Sequence, residues 1–153
     1  MTRQEKYPDT KYFHYYNRNP KNRITSDCVV RAISTATGIP YETVVKEMAE
    51  LWIQTGYEYS DLTDKYLQSK GWKKHKQPRH DDNTKLTGME FCGYCETYSN
   101  SHFIDRIVGN VVANIGSHHI VAFVQIGNGQ YKCYDIWNST GGKVGNYWYR
   151  TED

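Results

Sequence analysis

The sequence predicts an α+β fold, in which a group of helices precedes an antiparallel β-sheet. Two observations carry this prediction. Apolar residues recur at helical spacing through most of residues 27–69. From residue 111 onward, short runs rich in β-branched and aromatic residues are separated by turns that contain glycine. Helices followed by strands are typical of an α+β domain and not of alternating βαβ units.

Composition and charge narrow the class of protein. The 153 residues are enough for one domain with a hydrophobic core, and we treat residues 1–153 as that domain. A formal net charge of +2 argues against an obligate nucleic-acid-binding protein. No stretch approaches the roughly 20 apolar residues of a membrane span, and residues 1–10 lack the apolar run of a signal peptide. We therefore expect a cytoplasmic protein whose four cysteines are reduced.

The first elements are a short strand and a capped helix. The aromatic run at residues 12–16 predicts the strand, which the pair Asn19-Pro20 follows. Residues 27–37 predict the helix, with Ser26 or Asp27 as its cap and Gly38 after its end. One apolar arc of this helix holds Cys28, Val29, Ala32, Ile33 and Ala36, whereas the side chains outside the arc are Arg31, Ser34 and Thr37.

Two further helices follow directly. Residues 41–54 repeat apolar side chains at helical spacing, with Pro40 at the first turn and Gly56 after the end. Residues 61–69 predict a shorter helix, with Ser60 as its candidate cap. Another short helix is predicted at about 101–108, with Phe103, Ile104 and Ile107 on one side.

The middle of the chain, about residues 73–108, is predicted to be a variable insertion. Its basic run at 73–80 favours a solvated connection over a nucleic-acid site, because two aspartates follow at once. Cys92 and Cys95 form a CxxC motif with His80 and His102 nearby. There is no second CxxC and no regular histidine spacing, so we expect no metal, no redox pair and no cofactor.

The last third predicts the sheet. Residues 111–115 and 119–126 form two strands, and Gly127-Asn128-Gly129 makes a tight hairpin turn. Residues 130–137 return antiparallel to the second strand, and a final strand covers about 144–149.

Cys28 is the first candidate for chemistry. It lies in the first turn of its helix, where the positive end of the helix dipole lowers the pKa of a thiol. The alternative is that Cys28 is a small core residue, since free cysteine is one of the most buried residue types.

The hairpin brings a histidine and a carboxylate together. With the turn centred near Asn128, residues whose numbers sum to about 256 face each other, which makes Asp135 a near neighbour of His119. A carboxylate there can fix the tautomer of the imidazole, and the imidazole can then accept the proton of a thiol. Only one of His118 and His119 can face Cys28; we choose His119 because the apolar run follows it directly.

This order of elements resembles the papain-like cysteine peptidases. They too have a cysteine at a helix start, then a histidine on a strand, then Asp or Asn on the next strand. The His119–Phe123 run with Asp135 is similar to the bacteriocin-processing branch. Small phage-encoded papain-like proteins are more similar still, over roughly residues 12–55 and 110–149. The segments that carry this resemblance are Asn17-Arg18-Asn19-Pro20, Asp27-Cys28-Val29-Val30-Arg31-Ala32-Ile33, Ser117-His118-His119-Ile120-Val121-Ala122 and Tyr134-Asp135-Ile136-Trp137-Asn138.

The resemblance implies a role for each site residue. Cys28 is the nucleophile, His119 the general base, and Asp135 the residue that orients the imidazole. Asn138 is the alternative orienting residue, because papain itself uses an asparagine. Asn22 takes the place of the oxyanion-binding glutamine, one methylene shorter, with the backbone N–H of Cys28 as second donor.

Three hypotheses about function follow. The first is a thiol hydrolase of phage or bacterial origin, in the host cytoplasm, that cleaves an amide bond of a protein or peptide. The second is an inactive binding or inhibitory protein of the same fold that acts on a host protein. The third is an acyl-transfer, transglutaminase-like enzyme with the same triad. The sequence does not identify the substrate or the oligomeric state.

Overall fold

The computed structural model describes residues 1–100 and 106–150, which form an α+β fold, as the sequence predicts. The helices in this part of the chain are α1 (Arg3–Lys6), α2 (Cys28–Thr37), α3 (Tyr41–Gln54), α4 (Leu62–Ser69) and α5 (Gly88–Ser99). The strands are β1 (Phe13–Tyr15), β2 (Trp72–His75), β3 (Val108–Ile115), β4 (His119–Gln125), β5 (Tyr131–Asp135) and β6 (Val144–Arg150).

These strands form one mixed sheet in the order β1-β5-β4-β3-β6-β2. The pairs β5-β4, β4-β3, β3-β6 and β6-β2 are antiparallel, whereas β1 pairs with β5 in parallel. The prediction of a purely antiparallel, C-terminal sheet is therefore wrong at both edges. The N-terminal segment and the middle of the chain each supply a strand, and only long-range backbone pairing determines where these strands add.

The sheet lies between α5 on one face and α2, α3 and α4 on the other. Alternate residues of β3 and β4 contribute to opposite cores. On one face Val111, Val121 and Phe123 pack with Phe91 of α5, and on the other Val112 and Ala122 pack with Ile33 of α2. Because strands of a central sheet are buried on both faces, they read as continuous apolar runs, as β3 and β4 do.

The predicted helices at 27–37 and 41–54 are confirmed as α2 and α3. Gly38 ends α2 in the left-handed conformation, with φ of 77°, and its N–H donates to the Ser34 carbonyl. The helix predicted at 61–69 is confirmed as α4, but its N-cap residue is Asp61 and not Ser60.

Asp27 is confirmed as the cap position of α2, but two expectations for this helix are wrong: that the cap side chain accepts from the first N–H groups, and that Arg31 and Ser34 lie outside the buried face. Asp27 is its N-cap residue but makes no side-chain capping bond, because its carboxylate binds other side chains. Arg31 and Ser34, predicted to lie outside the buried arc, are buried with 6% and 0% exposure. Polar partners make this burial possible: Arg31 binds two carboxylates, and Ser34 donates to the Ile39 carbonyl.

The middle of the chain is more structured than predicted. Part of the basic run is strand β2, which pairs with β6, and the CxxC motif lies on α5. A capping box of Thr87 and Glu90 begins α5, and this sequence signal could have located the helix. Most of the helix predicted at 101–108 lies outside the described residues, as does His102, while Val108 already belongs to β3.

Candidate active site

The candidate site lies at one end of the sheet, where β4 begins at His119 and β5 ends at Asp135. The register of this hairpin is confirmed, because Ala122 faces Tyr134 and Phe123 faces Cys133, each pair summing to 256. The first residue of α2, Cys28, meets the sheet at the same end.

The structure brings Cys28, His119 and Asp135 together. Nε2 of His119 lies 2.5 Å from Oδ2 of Asp135. The Cys28 thiol lies close enough to the His119 side chain and to the backbone of Ile120 for both to lower its pKa. Since Nε2 is engaged by the carboxylate, Nδ1 is the ring nitrogen that remains for the thiol. The three predicted residues thus form one connected set, and their catalytic roles stay predictions.

The electrostatics of the Cys28–His119 pair favour a thiolate on Cys28 and an imidazolium on His119. The hydrogen bond from His119 lowers the pKa of Cys28, against the opposing effect of burial. Burial alone would lower the pKa of His119, but the bonds to Asp135 and Cys28 outweigh it and raise this pKa to about 9. At neutral pH the imidazole is therefore protonated beside a thiol that ionises readily.

The other three cysteines have the opposite environment. Cys92, Cys95 and Cys133 are buried, and all four cysteines are free thiols. Burial raises the pKa of Cys92 to about 12, and that of Cys95 and Cys133 well above the usual range. The CxxC of α5 thus packs as core, and in the described part of the chain no three His, Cys, Asp or Glu residues are grouped to hold a metal ion.

Iodoacetamide at pH 7 is expected to modify Cys28 alone among the four thiols, because only the thiolate reacts. In a His119→Ala variant the partner that lowers the pKa of Cys28 is gone, so labelling should begin only at more alkaline pH. Peptide mapping by mass spectrometry measures both. Equal labelling of all four cysteines, or an unchanged pH dependence in the variant, would contradict the ion pair.

Arg31 is the site residue that sequence reasoning missed. Its Nη1 donates to Oδ1 of Asp135 at 2.9 Å, while Oδ2 of the same carboxylate contacts His119. The backbone N–H of Ile136 donates to Oδ1 at 2.8 Å. With 2% exposure, Asp135 is buried, and these partners fix its orientation. The signal was an arginine inside a helix otherwise predicted to be buried.

A second carboxylate, that of Asp27, also binds the Arg31 guanidinium. Nε of Arg31 donates to Oδ1 of Asp27 at 2.7 Å, and Oδ2 of Asp27 accepts from Tyr41 and Asn19. Burial and the bond to Asp27 raise the pKa of Tyr41 to about 12, so its hydroxyl stays protonated and donates. A continuous polar chain therefore runs from Tyr41 through Asp27, Arg31 and Asp135 to the histidine.

The remaining candidates are His118, Asn138 and Asn22. His118 is exposed, which agrees with the choice of His119. The Asn138 side chain accepts from the backbone N–H and the hydroxyl of Thr140, so Asp135 is the residue that contacts the ring. Asn22 has a left-handed backbone, with φ of 53°, and its Oδ1 accepts from Asn17. Its amide nitrogen takes no part in that bond, and its oxyanion role stays a prediction.

A cleft opens beside the imidazole. The rings of Trp137 and His119 lie with centroids 5.1 Å apart, and Trp137 is 37% exposed. Trp137 also lines a cleft of about 320 Å³, together with Ser139. The other walls of this cleft are Ile115, Gly116, Asn138, Gly141 and Gly142. Cys28 is itself partly exposed, so the thiol is open to reagents from solvent.

The structure is that of an α+β protein in which a cysteine at a helix start, a histidine and an aspartate lie next to one another. Comparison with protein-family models, with curated proteins and with solved structures found no match to the chain. Within residues 1–100 and 106–150, none of the helices has the length and apolar character needed to cross a membrane.

Proposed function

We propose that the protein is a thiol hydrolase that resembles the papain-like cysteine peptidases and cleaves amide bonds in proteins or peptides. One observation carries the proposal: a partly exposed thiol of lowered pKa contacts a histidine that a buried carboxylate holds from the other side. A nucleophile, a base and an orienting group in mutual contact are the parts that covalent acyl transfer needs.

The first half-reaction forms a thioester. The Cys28 thiolate attacks the carbonyl carbon of the substrate, a C–S bond forms, and the carbonyl electron pair moves onto oxygen. When the tetrahedral intermediate collapses, the C–N bond breaks and the His119 imidazolium gives its proton to the departing amine. The raised pKa of His119 keeps that proton available at neutral pH.

The second half-reaction returns the enzyme to its starting state. His119, now neutral, takes a proton from water as the water oxygen attacks the thioester carbonyl. The C–S bond breaks, the carboxylic acid leaves, and the thiolate and imidazolium are restored. Asp135 stabilises the imidazolium and keeps Nδ1 directed at sulfur.

Two donors are proposed for the oxyanion. The first N–H groups of a helix have no partner inside the helix, so the backbone N–H of Cys28 at the start of α2 is free to donate. Asn22 is the proposed second donor through its side-chain amide.

Incubation of the protein with an unfolded polypeptide such as reduced, carboxymethylated casein tests the proposal. In water enriched in ¹⁸O, we expect new peptides whose C-terminal carboxylates carry the label, and an acylated Cys28 after acid quench. A Cys28→Ala variant should give neither product. Mass spectrometry of peptides and intact protein measures both.

Two other outcomes would replace the proposal. If added primary amines are incorporated in place of water, the same site is an acyl transferase. If the wild-type protein leaves every peptide bond intact although Cys28 alkylates selectively, the protein is a binding or inhibitory member of this class, because a reactive thiol alone does not establish turnover.

A further inference from the structure

A pocket of about 350 Å³ lies between the loop that precedes α2 and the first turns of α3. Pro20, Val45 and the ring of Tyr41 are its apolar walls, and Val45 is 44% exposed although it follows the fully buried Val44. A concave site of this volume with apolar walls is typical of a pocket that binds an apolar group of a ligand.

The rim of this pocket is positively charged. Lys21, Arg23 and Lys46 line it, with Glu42 as the one carboxylate among its lining residues. Within residues 1–100 and 106–150, no ion pair engages these three cations. Because the whole chain has a formal charge of only +2, this concentration of positive charge is local.

Two residues of the pocket belong to the polar chain that leads to the candidate active site. The pocket's lining residues Tyr41 and Asn19 both donate hydrogen bonds to Oδ2 of Asp27, the residue directly before Cys28. The separation between Cys28 and this part of the pocket is therefore one that a few residues of extended chain can span.

We propose that this pocket is a substrate-binding subsite that selects an apolar side chain flanked by Asp or Glu in the polypeptide to be cleaved. The apolar walls bind the side chain, and the three cations attract the flanking carboxylates. The inference rests on the proposed function, to which it adds the substrate class: acidic segments with an apolar residue. Binding at the pocket does not require turnover, so it can be tested separately from hydrolysis.

A selection experiment tests the subsite. The Cys28→Ala protein is used to select binders from a phage-displayed library of random dodecapeptides, and the enriched peptide is synthesised with a fluorescent label. We expect an enriched apolar residue with Asp or Glu on either side. By fluorescence anisotropy, adding Lys21→Glu and Lys46→Glu should raise the Kd of that peptide about tenfold or more, and added salt should weaken binding to the parent.

Matched variants separate the subsite from general charge. Lys65→Glu with Lys85→Glu reverses two exposed lysines outside the pocket and should leave the Kd unchanged. Val45→Asp should weaken binding, whereas Ile53→Asp, at an exposed apolar position of the same helix, should not. The proposal is overturned if no acidic-apolar consensus emerges, if both charge reversals act equally, or if the protein prefers single-stranded DNA to the selected peptide.

Discussion

The Asp135→Asn variant is expected to lose about 10⁴-fold in kcat for peptide hydrolysis, the loss found when the carboxylate behind a catalytic histidine becomes an amide. An asparagine can donate its N–H to Nε2 of His119, which places the ring proton on Nδ1. The nitrogen that faces Cys28 is then a donor and cannot accept the thiol proton.

The pH profile separates this tautomer effect from a general loss of structure. In the wild type, hydrolysis should rise as the Cys28 thiolate forms and fall at about pH 9, where His119 loses the proton that the leaving amine needs. In the variant, alkylation of Cys28 should move to more alkaline pH while the circular dichroism spectrum stays unchanged. Asp81→Asn, at an exposed position, is the matched control and should retain full activity. Wild-type turnover by a folded Asp135→Asn protein would refute the role of Asp135.

The Arg31→Met variant is expected to lose about 3–5 kcal/mol of unfolding free energy, because removing one partner of a buried ion pair leaves the other charge without compensation. Here two carboxylates are left, since Arg31 contacts both Asp27 and Asp135, whose side chains are 10% and 2% exposed. Urea unfolding followed by tryptophan fluorescence measures the change.

Arg18→Met is the matched control for this variant. Arg18 donates to the hydroxyls of Ser34 and Tyr16, which are neutral groups, so its loss should cost only about 1–2 kcal/mol. Combining Arg31→Met with Asp135→Asn should cost less than the sum of the single changes, because fewer unpaired charges remain buried. Equal losses for Arg31→Met and Arg18→Met would show that the buried carboxylates do not depend on Arg31. Should Arg31→Met fail to fold, Arg31→Lys gives the same comparison with a smaller change.

The predictions from sequence were most accurate where the signal is local. Helices α2 and α3 have both periodic apolar residues and clear end signals, and the hairpin has an Asn-Gly turn that fixes its register. That register is enough to pair His119 with Asp135, since both lie a fixed distance from the same turn. Helix α5 was missed although its capping box is also local, because its buried face mixes Phe91 with cysteines and glycine.

Sequence by itself determined helices α2, α3 and α4, the hairpin register and the position of Cys28 at a helix start, because each depends on residues close together in the chain. Tertiary structure alone decided that β1 joins the sheet in parallel, that β2 forms its far edge, and that Arg31 is buried between Asp27 and Asp135. An arginine in a helix reads as solvent-exposed until a carboxylate 104 residues away is placed beside it. The free energy that keeps this charge buried comes from both carboxylates, and the sequence near Arg31 contains only one of them, that of Asp27.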